Sequence, residues 1–225
     1  MIKAIQRNSG VLAIFALLST GVVAITHTLT ADRILEQQQK NLLKVLNEVL
    51  PKEIHDNKLV EHCTLFTSKQ YLGSDNPQPA YIATKNGKVT GIAIQAIAPD
   101  GYNGQIKLIV GIDKAGTIMG TRILQHAETP GLGDKIDLKV SSWIESFTGK
   151  RLEHPTANSS SDASTPSWSI KQWAVRKDGG EFDQFTGATI TPRAVVKAVK
   201  NASLFFQASQ DNLDQLPINC GGSNG

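Results

Sequence analysis

The chain has 225 residues, 40% of them hydrophobic, with a net charge of +3 and only two cysteines. That length and apolar content suffice for one well-packed domain with extensions and exclude a second large domain. The small charge, with no basic block interleaved with aromatics, excludes a nucleic-acid surface, so no nucleic-acid partner is expected.

From the start of the chain, residues 1–10 carry Lys3 and Arg7 and no acid, and the apolar run Val11 to Ile25 follows, extended by Thr26 to Leu29. Residues 11–29 are close to the roughly 20 apolar residues a membrane-spanning helix needs. Basic residues ahead of the run predict a cytoplasmic N-terminus and a body on the far side of the membrane. The small residues at Val22-Val23-Ala24 suit a cleaved signal peptide equally in kind, and both readings export the body. Thr30 to Leu50 shows helical spacing of Ile34, Leu35, Leu42, Leu46 and Val49, and Pro51 ends it. An amphipathic stem over 30–60 follows, able to pack on its own domain or on a partner at the membrane surface. Lys52 to His62 has no useful period.

Strand patterns begin at Tyr81 to Thr84, turn at Asn86-Gly87, and continue through Val89 to Ala98, Gln105 to Asp113 and Thr117 to Gln125. Turns this short force neighbouring strands to be antiparallel, which predicts an α+β fold with helices packed on an antiparallel sheet. Lys139 to Phe147 is read as a short helix with Trp143 and Phe147 in the core. His154 to Pro166 is polar and reads as a mobile loop, and Ile170 to Arg176 returns to strand. A last helix starts after Thr191, the expected N-cap, with Pro192 at its first position and Ala194, Val195, Val196, Ala198, Val199, Ala202 and Phe205 along it. The domain then spans 61–210, and 211–225 is a polar tail with Cys220 as its one anchor. An exporting compartment allows Cys63 and Cys220 to form a disulfide; two buried thiols are the alternative.

Several chemistries find no support. Two isolated cysteines lack the C-x-x-C spacing of a zinc site, and His126 with Glu128 is not followed by C-x-x-C, so no metal is expected. G-x-G-x-x-G, G-x-x-x-x-G-K-S/T and G-x-S-x-G are all missing, which leaves dinucleotide, nucleoside triphosphate and serine hydrolase sites without a basis.

Two segments carry candidate function. In Asp183-Gln184-Phe185-Thr186-Gly187-Ala188-Thr189, Gly187 and Ala188 remove bulk beside two hydroxyls, and Thr189 precedes a helix N-terminus, which favours an anionic group. The same residues also read as an ordinary loop and helix cap. Lys177, ahead of the segment, could steady a phosphate there. In His126 to Lys135, Gly131 and Gly133 bare the backbone beside the Thr129 hydroxyl; by itself this too is a common turn.

Asp183, Thr186, Gly187, Ala188 and Thr189 match the D-x-x-S/T-G-A-T signature of the FMN-binding domains of Rnf and sodium-translocating NADH:quinone reductase complexes. Glu128-Thr129-Pro130-Gly131-Leu132-Gly133 resembles the same family's segment near the flavin, and Ala98-Pro99-Asp100-Gly101-Tyr102 adds to the likeness, which runs over nearly the whole chain and leans toward the Rnf branch. The resemblance implies an electron-transfer subunit of a ferredoxin- and NAD-linked, ion-translocating oxidoreductase, not catalytic alone. It sits in the inner membrane by a single pass, with a periplasmic FMN-binding domain. The implied cofactor is FMN, joined by a phosphoester to Thr189, with Asp183, Thr186, Gly187, Ala188, Glu128, Thr129, Gly131, Leu132 and Lys177 around it. The implied partners are the other membrane and redox subunits, membrane lipid, and a flavin transferase that acts on FAD with magnesium. The alternatives are the NqrC-type subunit of the quinone reductase, which bears the same signature, and a flavin-free membrane-tethered assembly module.

Overall fold

A computed structural model describes residues 2–153 and 167–220. The mobile loop expected over His154 to Pro166 lies outside the described residues. The chain divides into two units, 1–44 and 45–225.

The first unit is formed by helix α1 (Ile2–Val49), whose last five residues belong to the second. The helix runs without a break across residue 30, where a span and a stem were expected to meet. It is long and apolar enough to cross a membrane. Its large side chains, Leu12, Phe15, Leu17 and Leu29 among them, stand exposed.

The second unit is a five-stranded antiparallel meander in the order β1-β2-β3-β4-β5: β1 (Cys63–Ser68), β2 (Ser74–Lys85), β3 (Lys88–Ala98), β4 (Ile106–Asp113) and β5 (Ile118–Gln125). Asn86 and Gly87, both at positive φ, close the β2–β3 hairpin, as the Asn-Gly pair predicts. The antiparallel sheet with packed helices is therefore the expected one. Two features were not anticipated. β1 extends the sheet by one strand, and β2 begins at Ser74 rather than Tyr81. Pro77 and Pro79 hide this extension, because a strand rarely tolerates them. They are accommodated because residues 74–79 pair with β1 alone, while the register with β3 starts at Ala80. A short helix α2 (Lys69–Leu72) links β1 to β2, capped by the Ser68 hydroxyl, which accepts from the Tyr71 N–H at 3.3 Å.

Alternation along the strands buries both faces of the sheet. Ile92, Ile94, Ala96, Leu108, Val110 and Ile112 face helix α3 (Ile190–Ser209), which buries Val195, Val196, Val199, Ala202 and Phe206. On the other face, Leu46, Val49 and Leu50 are fully buried. They sit where Gly111 and Gly120, cross-strand partners, leave room: a Cβ on Gly111 would stand 2.0 Å from the Val49 carbonyl oxygen.

Trp143 and Phe147 are core residues on a 3-10 turn (Ser142–Phe147), packed edge to face with centroids 5.4 Å apart. Phe182, Trp173 and Trp168 continue the cluster. Strands β6 (Arg151–Leu152) and β7 (Ser167–Trp168) form a parallel pair beside it. The strand expected over Ile170 to Arg176 is not formed. That segment folds into turns, with the Trp173 N–H donating to the Ile170 carbonyl, and its later backbone groups pair with residues 181 and 182. Gly180 permits this, since a Cβ there would meet the Ala174 oxygen at 2.0 Å.

The tail is held by more than Cys220. Leu213 is buried, and the Asn219 side-chain oxygen accepts from the Leu65 N–H at 2.9 Å, covering the β1 edge. Cys63 and Cys220 are joined across 157 residues. Replacing both with serine is expected to lower the unfolding free energy by about 3 to 5 kcal/mol. Urea denaturation of the two forms checks it, and a loss well under 1 kcal/mol would contradict it.

Candidate functional site

Two turns and one helix end make the site. The Thr129 carbonyl accepts from the Leu132 N–H at 3.1 Å, closing a turn over Pro130 and Gly131, whose φ is +79°. The Phe185 carbonyl accepts from the Ala188 N–H at 3.1 Å, closing a second turn over Thr186 and Gly187, whose φ is +81°. Each turn needs its third residue at positive φ, which glycine adopts without strain. The Leu132 side chain lies 3.7 Å from where a Cβ of Gly187 would be, so the two turns face one another.

The core fixes both. Trp143 donates its indole N–H to the Asp183 carbonyl at 2.8 Å and packs on Phe185, centroids 5.2 Å apart, so the start of the 183–189 segment is anchored in the aromatic cluster. Glu128 is buried and accepts from the Thr191 hydroxyl at 2.5 Å and from the Asn103 N–H at 3.2 Å. One carboxylate thereby ties three segments together: the loop after β3, the loop after β5 and the first turn of α3. Gly133 makes the bond to Thr191 possible, since a Cβ there would stand 2.6 Å from the Glu128 carboxylate and 2.8 Å from the Thr191 hydroxyl. Thr191→Val would leave that carboxylate short of a partner. The expected cost is about 1 to 3 kcal/mol, read from the thermal unfolding of the two proteins.

Thr191 is thus not the N-cap that the sequence suggests. The helix begins at Ile190, Thr189 takes the cap position without a capping side-chain bond, and the Thr191 hydroxyl is spent on Glu128. Pro192 remains in the first turn, where its missing N–H costs nothing.

A cleft of about 680 Å³ opens between the turns. Of the expected site residues, Glu128, Thr129, Leu132, Lys177, Gly187, Ala188 and Thr189 line it. Asp183, Thr186 and Gly131 do not. The Asp183 carboxylate pairs instead with Arg176 at 2.8 Å, Thr186 is exposed, and Gly131 serves its turn. Tyr102, Gly133, Ile190 and Thr191 also line the cleft and were not picked out as site residues. Tyr102 stands in the Pro-Asp-Gly-Tyr run, whose turn residues mask any sign of a ligand-facing ring; it is 69% exposed.

The electrostatics favour an anion at one end. N–H groups of the first turn of α3 have no intrahelical acceptor, and the helix dipole adds to their pull. Arg193, one turn in, is committed to Asp178 through bonds of 2.5 and 2.7 Å. The Arg193 guanidinium holds the Asp178 carboxyl below its ordinary value of 3.8, so the pair persists to lower pH than an unpaired aspartate would and is lost as the pH falls through that depressed value. Lys177 makes no ion pair among the described residues. Among the described residues, no three His, Cys, Asp or Glu side chains gather to hold a metal. A hydroxyl, a helix N-terminus and a lysine at one cleft, with Leu132, Ile190 and Tyr102 supplying apolar and aromatic surface, fit a planar aromatic group that carries a phosphate.

Comparison with known proteins agrees. Residues 101–203 match the FMN-binding domain family and residues 1–49 match the RnfG N-terminal region. The G subunit of the ion-translocating oxidoreductase complex of Vibrio vulnificus (strain YJ016) is 57% identical over 222 residues, 99% of each chain. That of Shewanella baltica (strain OS223) is 55% identical over 214 residues, 95% of each chain. Among solved structures, Shewanella oneidensis NqrC aligns with a TM-score of 0.45 and 19% identity, over 75% of this chain and 72% of that one. With more than half its residues shared along nearly its whole length, the chain belongs to the RnfG family, the G subunits of ion-translocating oxidoreductase complexes.

Proposed function

We propose that the protein relays electrons within an ion-translocating oxidoreductase complex through an FMN joined by a phosphoester to Thr189. The observation that carries this reading is the placement of Thr189 at the N-terminus of a 20-residue helix, its side chain free of a capping bond, in a cleft shared with Lys177. Bound there, FMN supplies reversible redox chemistry through its ring, and the protein supplies position. Thr189 is a tether rather than a catalyst. The first turn of α3 and Lys177 receive the phosphate, Leu132 and Ile190 present apolar surface, and Glu128 keeps the three segments in register.

Loading replaces one phosphoryl bond with another. A flavin transferase acting on FAD with magnesium would join the Thr189 hydroxyl oxygen to the flavin phosphorus, break the pyrophosphate bond, release AMP and pass the hydroxyl proton to solvent. A covalent link suits an exported domain, where dissociated FMN would diffuse away. In this reading α1 spans the inner membrane once, with residues 1–10 cytoplasmic and the flavin domain periplasmic, in contact with lipid and with the other membrane and redox subunits. A single span without acidic residues in its apolar run offers no ion path, so ion movement belongs to those partners. Whole-chain identity with the RnfG relatives favours this assembly over the quinone reductase.

The test is flavin fluorescence in a denaturing gel, on protein co-expressed with a flavin transferase. A fluorescent band is expected. A dark one supports a flavin-free assembly module instead.

A further inference from the structure

We infer that the ion pairs Arg176–Asp183 and Arg193–Asp178 are positioning devices that hold Lys177 at the cleft wall it shares with Thr189, where its ammonium receives the flavin phosphate as the cofactor is loaded. The inference rests on the covalent reading above and assigns to Asp183, Asp178 and Arg193 a role other than touching the flavin.

Three consecutive residues form a short 3-10 turn (Arg176–Asp178), and each reaches across to the attachment segment. Arg176 Nη1 lies 2.8 Å from the Asp183 carboxylate, six residues before Thr189. The Lys177 N–H donates to the Gln184 side-chain oxygen at 3.3 Å. Asp178 accepts two bonds from Arg193, four residues after Thr189. The turn is therefore stitched to the chain on both sides of the attachment residue. Its ends are fixed by the buried Val175 and Phe182, which bridge one another, and Gly179 at φ +84° closes it.

Charge accounting singles out Lys177. Of the three cations in this cluster, Arg176 and Arg193 each have a carboxylate, and Lys177 has none among the described residues. The cluster keeps one positive charge, on the side chain that lines the cleft, and a phosphate diester brings one negative charge. Both ion pairs are largely exposed, and pairs of that kind add little to global stability, while a two-bond arginine–carboxylate contact fixes direction. Their contribution is geometric.

The test follows covalent loading of the purified full-length protein by a flavin transferase with FAD and magnesium, read as the rate of appearance of gel fluorescence. Lys177→Gln and Asp178→Asn are each expected to slow loading about tenfold, with melting temperatures within a few degrees of wild type. Lys177→Arg, which keeps the charge, is expected to restore the rate, and so is the exchanged pair Asp178→Arg with Arg193→Asp. Wild-type rates in Lys177→Gln and Asp178→Asn would overturn the inference and leave the tether standing. Loss of loading in Lys177→Arg as severe as in Lys177→Gln would also overturn it, since charge would then not be what matters. Failure of the wild type to load would overturn the covalent reading and this inference with it.

Discussion

Thr189→Val is expected to give a folded protein with no flavin that survives denaturation. Valine keeps the branched shape of threonine and deletes only the hydroxyl. Because the Thr189 side chain makes no capping bond, the expected change in stability is within about 0.5 kcal/mol. The neighbouring threonines cannot take its place. Thr186 sits exposed on its turn outside the cleft lining, and the Thr191 hydroxyl is bound to Glu128 at 2.5 Å in the core. Loss of fluorescence should therefore be complete, with near-wild-type circular dichroism and thermal unfolding. Residual covalent flavin in the variant would move the attachment point elsewhere.

The second large effect concerns the other face of the sheet. Gly111→Ala is expected to destabilise the domain by about 3 kcal/mol, at the upper end of what overpacking a filled core costs. The added Cβ would stand 2.0 Å from the Val49 carbonyl oxygen and 2.6 Å from its carbon. These are backbone atoms that cannot rotate away. Relief requires the end of α1 to lift, which uncovers Leu46, Val49 and Leu50, all fully buried. Gly120→Ala meets the Glu48 oxygen at 3.0 Å, so a smaller loss is expected there. Urea denaturation followed by tryptophan fluorescence would rank the two, and equal stabilities would show that the helix end is not seated as described.

The sequence reveals most where local chemistry decides structure. The Asn86-Gly87 turn and the alternation through β3, β4 and β5 give the meander, because positive φ and period two are written in single residues and their neighbours. Less legible are elements that depend on partners far along the chain. β1 is recognised as a strand only once β2 lies beside it, and Pro77 and Pro79 disguise the part of β2 that needs no second neighbour. Ile170 to Arg176 has strand-like composition but takes its backbone bonds from the following segment, which Gly180 brings into contact.

The same division runs through the site. Gly131, Gly187 and Thr189 stand in short motifs and can be picked out by eye. Thr191 looks like a cap because a threonine before a proline at a helix start usually is one. Its bond to Glu128, 63 residues away, is invisible without the fold. Asp183 belongs to the motif, yet its carboxylate turns to Arg176 rather than to the cleft. Tyr102 is set beside the cleft by the loop after β3, and the Asn103 N–H that secures that loop to Glu128 has no signature in sequence.

The most direct test of the central claim is mass spectrometry of the tryptic peptide Asp178 to Arg193, prepared from protein co-expressed with a flavin transferase. The peptide holds three threonines, 186, 189 and 191. A mass increase equal to one FMN less one water, localised by fragmentation to Thr189, is the expected result. An unmodified peptide, or the same increase on Thr186 or Thr191, would contradict the assignment of Thr189 as the flavin tether.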